Sequence, residues 1–220
     1  SPDGKIAIEN AGNADLKIEV AGKNNITSKN ADGLTFGASA TITGEGTLTV
    51  TTEGHNSAIY VPSATLTVEN TTLSAEGYHG IFGQDGRNVT LIIRNATVNA
   101  KGRKRESGYA IADFAALTLD KCRITLPDGG RWDARKHAVM EGSSKAKEVK
   151  IEPFYGLYIA GVAITSMNEA KLNELPGVTL GTGGELKYDP TKKLLSLKNV
   201  TITSPDGKIA IENAGNADLK

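Results

Sequence analysis

Four pentapeptides in equivalent surroundings constrain this chain more than any other feature. Glu69-Asn-Thr-Thr-Leu73, Arg94-Asn-Ala-Thr-Val98, Asp120-Lys-Cys-Arg-Ile124 and Lys198-Asn-Val-Thr-Ile202 share one pattern. Asn or Lys stands second, a small or β-branched residue third, and a branched apolar residue fifth. Each follows an alternating segment (Leu66-Thr-Val68, Leu91-Ile-Ile93, Leu117-Thr-Leu119, Leu195-Ser-Leu197) in which every second side chain can point inward. A third element, a short apolar run, recurs at Ile6-Ala-Ile8, Leu34-Thr-Phe36, Ile59-Tyr-Val61, Ile81-Phe82, Ile111-Ala112 and Val139-Met140. The starts of these runs, at 6, 34, 59, 81, 111 and 139, lie 22 to 30 residues apart. Three short strands per repeat are too few for a propeller blade, and no helical periodicity runs through them. Winding each repeat into one coil and stacking the coils pairs every strand with its equivalent. The expectation is an all-β, right-handed parallel β-helix of about five to six coils over residues 1–152. Asn70 and Asn95 are expected to stack in a turn column. Cys122 shares the column of Thr71 and Ala96 and is expected to be a small buried core residue, not a nucleophile.

A longer period is superimposed. Ser1 to Lys17 reappears letter for letter as Ser204 to Lys220, an offset of 203 residues. This predicts either a tandem array cut out of phase or an engineered overlap; in both, a module starts near Pro153 and neither end of the chain is a natural domain boundary. Residues 153–203 lack the coil pattern. They predict a strand pair turning at Ala160-Gly161, a short helix from Met167 to Leu175 with Ser166 and Glu169 as a capping box, and a hairpin turning at Asp189-Pro-Thr-Lys192. Open β-helix ends expose unpaired strands, so this segment is expected to be the N-terminal cap of the next module, with 204–220 starting the next β-helix. The terminal copy is also expected to occupy its twin's site in a neighbouring molecule, giving head-to-tail self-association.

The segment Tyr158-Ile-Ala-Gly-Val-Ala-Ile-Thr-Ser166, followed by Gly184-Glu-Leu-Lys-Tyr-Asp-Pro-Thr-Lys-Lys-Leu-Leu-Ser-Leu-Lys-Asn-Val-Thr-Ile202, resembles the opening of β-helical "carbohydrate-binding domain" modules in secreted and surface proteins of gut-type bacteria. The resemblance covers about 50 residues of the cap. It implies a β-helical fold and glycan binding, and it assigns no residue a role.

Twenty-five Lys and Arg balance 25 Asp and Glu, so no general nucleic-acid partner is expected. One cysteine forms no internal disulfide, and no run approaches the roughly 20 apolar residues of a membrane span.

Chemistry is expected on the connections into each short apolar run, since loops at equivalent places in stacked coils form one edge. The candidate ligand-binding residues there are Tyr78, His79, Arg103, Arg105, Arg131, Trp132, Arg135 and His137. Aromatic rings stack on sugar faces and arginine forks grip carboxylates or sulfates. A bland reading of the same residues is an exposed polar loop with Trp132 packed over a coil edge. His79 and His137 are expected to approach one another across coils, but no third ligand accompanies them and no metal or cofactor is expected. Asp85, Asp113, Asp120, Asp128 and Asp133 are scattered, and Glu53 and Glu76 flank exposed glycines. No catalytic residue is therefore proposed. The sequence reads as a non-catalytic, extracellular repeat module of a bacterial surface protein that binds glycan or mediates adhesion. A structural spacer and a polysaccharide lyase or glycoside hydrolase are the alternatives.

Overall fold

The computed structural model describes residues 4–84, 88–103, 107–165 and 168–214. They form two compact units, Ser1–Glu152 and Pro153–Lys220.

The first unit is a β-solenoid of stacked coils. The first coil is β1 (Ile8–Asn10), β2 (Leu16–Glu19) and β3 (Lys23–Ser28). The second is β4 (Leu34–Phe36), β5 (Ala40–Thr43) and β6 (Thr47–Thr52), and the third is β7 (Ile59–Tyr60), β8 (Thr65–Glu69) and β9 (Thr72–Gly77). The fourth is β10 (Ile81–Phe82), β11 (Thr90–Arg94) and β12 (Thr97–Gly102), and a partial fifth begins with β13 (Ile111–Ala112) and β14 (Ala116–Asp120). Each kind of strand stacks in parallel on its equivalents, giving three sheets. Side chains alternate, so inward columns form: Leu34, Ile59, Ile81 and Ile111 in the first sheet, and Ile42, Val68 and Ile93 in the second. All seven are fully buried. The core is therefore a stack of aliphatic layers that each coil buries only with its neighbours.

The pentapeptide column is a left-handed turn. Asn70, Asn95 and Lys121 have φ of 52°, 42° and 52°, a conformation that asparagine tolerates better than most side chains. The Asn95 side-chain amide donates to Asn70 Oδ1 at 3.0 Å, so the stacked pair binds across coils. The residue before each turn adds a second ladder. Arg94 donates from Nη1 to Glu69 Oε2 (3.0 Å) and from Nε to Asp120 Oδ2 (2.8 Å). These groups are exposed, so the ladder specifies register more than it stabilises.

Several expectations need correction. Among the described residues four complete coils form, not five to six. The first strand begins at Ile8 rather than Ile6, because Ile8 lies opposite Leu34. Val139-Met140 starts no further coil: β17 (Ala138–Glu141) runs antiparallel to β13 and lies between β16 (Arg131–Asp133) and β18 (Ser144–Lys145) in antiparallel pairing. On the third sheet, β19 (Glu148–Pro153) inserts between β12 and β15 (Cys122–Leu126) and runs antiparallel to β12. It sets Ile151 opposite Val98 and Val149 opposite Ala100, both inward, which closes the core with a strand that another parallel coil cannot extend. Cys122 keeps its column, with its sulfur accepting from Ala96 N at 3.4 Å. It is half-buried and packs against the core rather than within it, and desolvation pushes its thiol pKa up.

In the second unit, β20 (Leu157–Ile159) and β21 (Val162–Ala163) turn at Ala160 and Gly161, whose φ are 50° and 77°. The helix is a short 3-10 segment, Glu169–Glu174, kinked at Lys171. Its N-cap is Asn168 rather than Ser166, which with Met167 lies outside the described residues. Asn168 is held instead by its own amide group, which accepts from Thr165 N and donates to Ala163 O, both at 2.9 Å. β22 (Val178–Asp189) and β23 (Leu194–Ile202) form the hairpin, and β24 (Ile211–Asn213) pairs antiparallel with β20. Asn199, in the fourth pentapeptide, keeps a left-handed φ of 45° but faces the β22 bulge, donating to Thr182 O at 3.1 Å. The same local signal thus makes a coil corner in one unit and a hairpin irregularity in the other.

Because each aliphatic layer is sealed by its neighbours, Ile93→Ala leaves a cavity that the ladders on both sides hold open. Chemical denaturation is expected to show a loss of about 2–5 kcal/mol. A loss below about 1 kcal/mol would mean that the coils collapse around the gap.

Candidate functional site

The connections entering β7, β10 and β13 stack along one edge of the first sheet, bringing together aromatic rings from three successive coils (His55, Tyr78, His79, Tyr109). The imidazole of His79 lies 3.8 Å from the Phe82 ring centroid at an interplanar angle of 13°. Tyr78 meets His79 edge-on at 4.7 Å, His55 lies 5.1 Å beyond Tyr78, and Tyr109 is 5.6 Å from His79. Tyr60 extends the strip at 6.4 Å from Phe82. Tyr60 and Phe82 are at the outward positions of β7 and β10, where alternation puts them on the surface.

Cations rim these rings. Lys145 and Lys147 stand 4.9 and 4.7 Å from the Tyr109 ring centroid, within cation–π range. Lys145 is paired with Asp113 at 2.8 Å, and Lys147 donates to Gly108 O. Arg103, which follows β12 of the fourth coil, donates from Nη2 to Thr52 O of the second coil at 3.2 Å and so spans the third. Gly108 permits this packing: a Cβ there would fall 1.7 Å from Tyr78 O.

His79 is the most perturbed group of the strip. Tyr109 N–H donates to its Nδ1 at 3.0 Å, which puts the proton of the neutral ring on Nε2. Desolvation lowers its pKa to about 4. Asp113 opposes this shift, while Lys145 and Lys147 reinforce it. At neutral pH it is therefore an uncharged ring in an aromatic stack, suited to contact rather than proton transfer.

Of the residues expected from sequence, Tyr78, His79 and Arg103 lie in this strip. Arg105 falls outside the described residues. Trp132, expected as a loop ligand, is a correction: it sits in β16 opposite Val139 and packs half-buried against the main core. Closing the solenoid requires antiparallel strands there, and the indole covers the last layer. Arg131 flanks it on the same strand and is exposed. Arg135 is an exposed turn residue whose N–H donates to Asp133 Oδ1 at 2.9 Å. His137 does not join His79. It occupies a left-handed turn (φ 51°) with Nδ1 2.9 Å from Phe114 O, while His79 is engaged by Tyr109.

Lys145, Lys147, Tyr60 and Phe82 were missed. The two rings were legible, because alternation in Ile59-Tyr60-Val61 and Ile81-Phe82 sends the middle or second residue outward. The lysines were not, since they reach the strip only through the antiparallel closure.

Two concave features lie elsewhere. A groove of about 350 Å³ on the third sheet is lined by Ser74, Glu76, Asn99, Lys101 and Glu148, with Lys101 ion-paired to Glu148 at 2.9 Å. A cleft of about 590 Å³ in the second unit lies between the 3-10 helix and the hairpin, lined by Glu169, Asn173, Tyr188 and Asp189 among others. Burial raises the pKa of the Tyr188 phenol there, with Glu169 and Asp189 adding to the effect. Among the described residues no group of three or more metal-ligating side chains occurs, and no helix is long and apolar enough to cross a membrane. No protein-family profile, curated protein or solved structure matches the chain.

The depressed pKa of His79 makes stability depend on pH. Between about 6.5 and 4 the unfolded chain binds a proton that the folded chain refuses, so stability falls as pH falls through this window. Allowing for the partial exposure of the ring, the loss attributable to His79 is on the order of 1–2 kcal/mol. Denaturation at pH 7 and pH 4 is expected to show this loss in the unmodified chain and a smaller one in His79→Gln. Equal losses would mean that the ring titrates in the same way folded and unfolded.

Proposed function

We propose that this chain is a non-catalytic, extracellular repeat module of a bacterial surface protein that binds acidic glycans along its stacked loop edge. The observation that carries the reading is the strip His55–Tyr78–His79–Phe82–Tyr60, flanked by Tyr109 and the cations Arg103, Lys145 and Lys147. Ring faces offer apolar, polarisable contact to sugar C–H groups, and the bordering cations favour carboxylates or sulfates on the same chain. Successive coils repeat at about 4.8 Å, so the strip presents contacts in series to an extended ligand. The resemblance of the cap to carbohydrate-binding modules supports the same class of ligand.

A catalytic role finds less support along this edge. Asp113 is engaged by Lys145, Asp32 accepts from Ser57 N, Glu53 is an exposed residue of the connection that carries His55, and His79 is a poor base when desolvated between rings. Cell-surface placement and neighbouring modules as partners belong to the same proposal, which the suitability of a solenoid as an array element supports.

Binding of neutral, carboxylated and sulfated oligosaccharides should be measured by calorimetry. The acidic ligands are expected to bind best, and Tyr78→Ala should weaken them by roughly tenfold, about 1–2 kcal/mol. Trp132→Ala, which lies off the strip, should leave affinity unchanged. If no oligosaccharide binds, or if Tyr78→Ala binds as well as the unmodified chain, the proposal fails.

A further inference from the structure

The two identical copies of Ile-Glu-Asn occupy different sheets, and they use opposite edges of the same strand. In β1, Ile8 N donates to Gly33 O (3.2 Å) and Asn10 O accepts from Gly37 N (2.9 Å). The backbone groups of Ile8 and Asn10 thus face β4, and strand alternation turns those of Glu9 to the other edge. In β24 the parity is reversed. Ala160 N donates to Ala210 O and Ala214 N donates to Gly156 O, both at 2.7 Å, with Tyr158 opposite Glu212. The even-numbered residues face the cap strand β20, which leaves the groups of Ile211 and Asn213 on the far edge. Ile211 and Asn213 are the copies of Ile8 and Asn10. The edge that one copy turns to the coil is opposite to the edge that the other turns to β20, so a single strand can be hydrogen-bonded on both sides.

The side chains agree. The inward column Leu34, Ile59, Ile81 and Ile111 is fully buried, but its next member, Ile8, is 37% exposed. In the cap, the residue opposite Ile211 is Ile159, which is fully buried. Superposing the twin strands would carry the column from the coils through one isoleucine into the cap core. Antiparallel β20 would then close this end of the first sheet as antiparallel β17 closes the other.

We propose that Ile-Glu-Asn is the joint between successive modules and that a second copy of this chain can supply it. Ile211–Asn213 of one molecule, still paired with its own β20, seats on Leu34–Phe36 of the next in place of that molecule's β1. The displaced strand and the incoming one make equivalent contacts with the coil, so the exchange is driven by continuing the inward column, whose member Ile8 is 37% exposed, into the core around Ile159. It is opposed by the tethering of β1, whose effective concentration is on the order of millimolar.

Proline substitution tests the edge assignment, because it removes a donor from one edge only. Ile8→Pro weakens the resident strand on the coil and opens the seat. Ile211→Pro removes the donor that the seat requires while sparing the cap pairing of Glu212. Sedimentation velocity across a broad concentration range should show weak self-association of the unmodified chain, about tenfold tighter association of Ile8→Pro, and a monomer for the double variant Ile8→Pro/Ile211→Pro. A monomeric Ile8→Pro that retains its β-sheet circular dichroism would overturn the proposal, as would a double variant that associates as strongly as Ile8→Pro. Should Ile8→Pro lose its β-sheet signal, the comparison rests on the unmodified chain and Ile211→Pro at the highest concentration. Loss of association in Ile211→Pro is then expected, and either persistence or a monomeric unmodified chain overturns the joint.

Discussion

Registered stacking of one coil on the next is the interaction on which the rest of this molecule depends. No coil has a core of its own: Ile42, Val68 and Ile93 are buried only because each lies over its equivalent. The hydrogen-bond ladders supply direction and the left-handed corners at Asn70, Asn95 and Lys121 supply phase. Slipping by one residue would send every aliphatic layer to the surface. The Glu69–Arg94–Asp120 ladder opposes such a slip, since its alternating charges match only in the observed register. Its contribution to stability is small, and its contribution to uniqueness is larger. The aromatic strip inherits its geometry from the same constraint, because His55, Tyr78 and Tyr109 meet only when their coils are in phase.

Stacking also creates the molecule's central difficulty, an end that is indistinguishable from an invitation to add another coil. The C-terminal end of the solenoid answers with antiparallel strands. β17 and β19 pair antiparallel with the last parallel strands of two sheets and are flanked in turn by β16 and β15, which breaks the parallel succession. That solution has a functional by-product. The turn-and-return path of residues 128–152 carries Lys145 and Lys147 over Tyr109, so the element that terminates the fold also supplies cations to the candidate binding edge.

The periodic parts of this architecture were legible in sequence, and the aperiodic parts were not. The pentapeptide column announced the corners, and alternation announced β8, β11 and β14. Alternation is equally plain in Leu16-Lys-Ile-Glu19 and Ala40-Thr-Ile-Thr43, the second strands of the first two coils. Closure was invisible for a different reason. Val139-Met140 has the composition of a coil strand, and nothing local distinguishes parallel from antiparallel pairing in so short a run. Trp132 was misplaced with it. For the site, the contact of Tyr78 with His79 followed from neighbouring positions, whereas the lysines could be found only once the chain's return path was known.

The duplicated segment isolates the part of structure that sequence leaves undetermined. Ile8-Glu-Asn10 and Ile211-Glu-Asn213 have the same side chains and the same extended backbone, and both are strands. Propensity settles that much. Which edge is filled, and whether the neighbour runs parallel or antiparallel, is set by what the surrounding chain presents: Leu34–Phe36 in one case and Leu157–Ile159 in the other. A strand that satisfied its two neighbours with the same backbone groups would have to choose between them. Alternation of donors and acceptors along the strand removes that conflict, because the isoleucine and asparagine of Ile-Glu-Asn face the coil in one copy and the glutamate faces β20 in the other. A seventeen-residue repeat therefore need not encode two structures. It encodes one strand with two independent faces, and each copy shows the face that its context leaves to it.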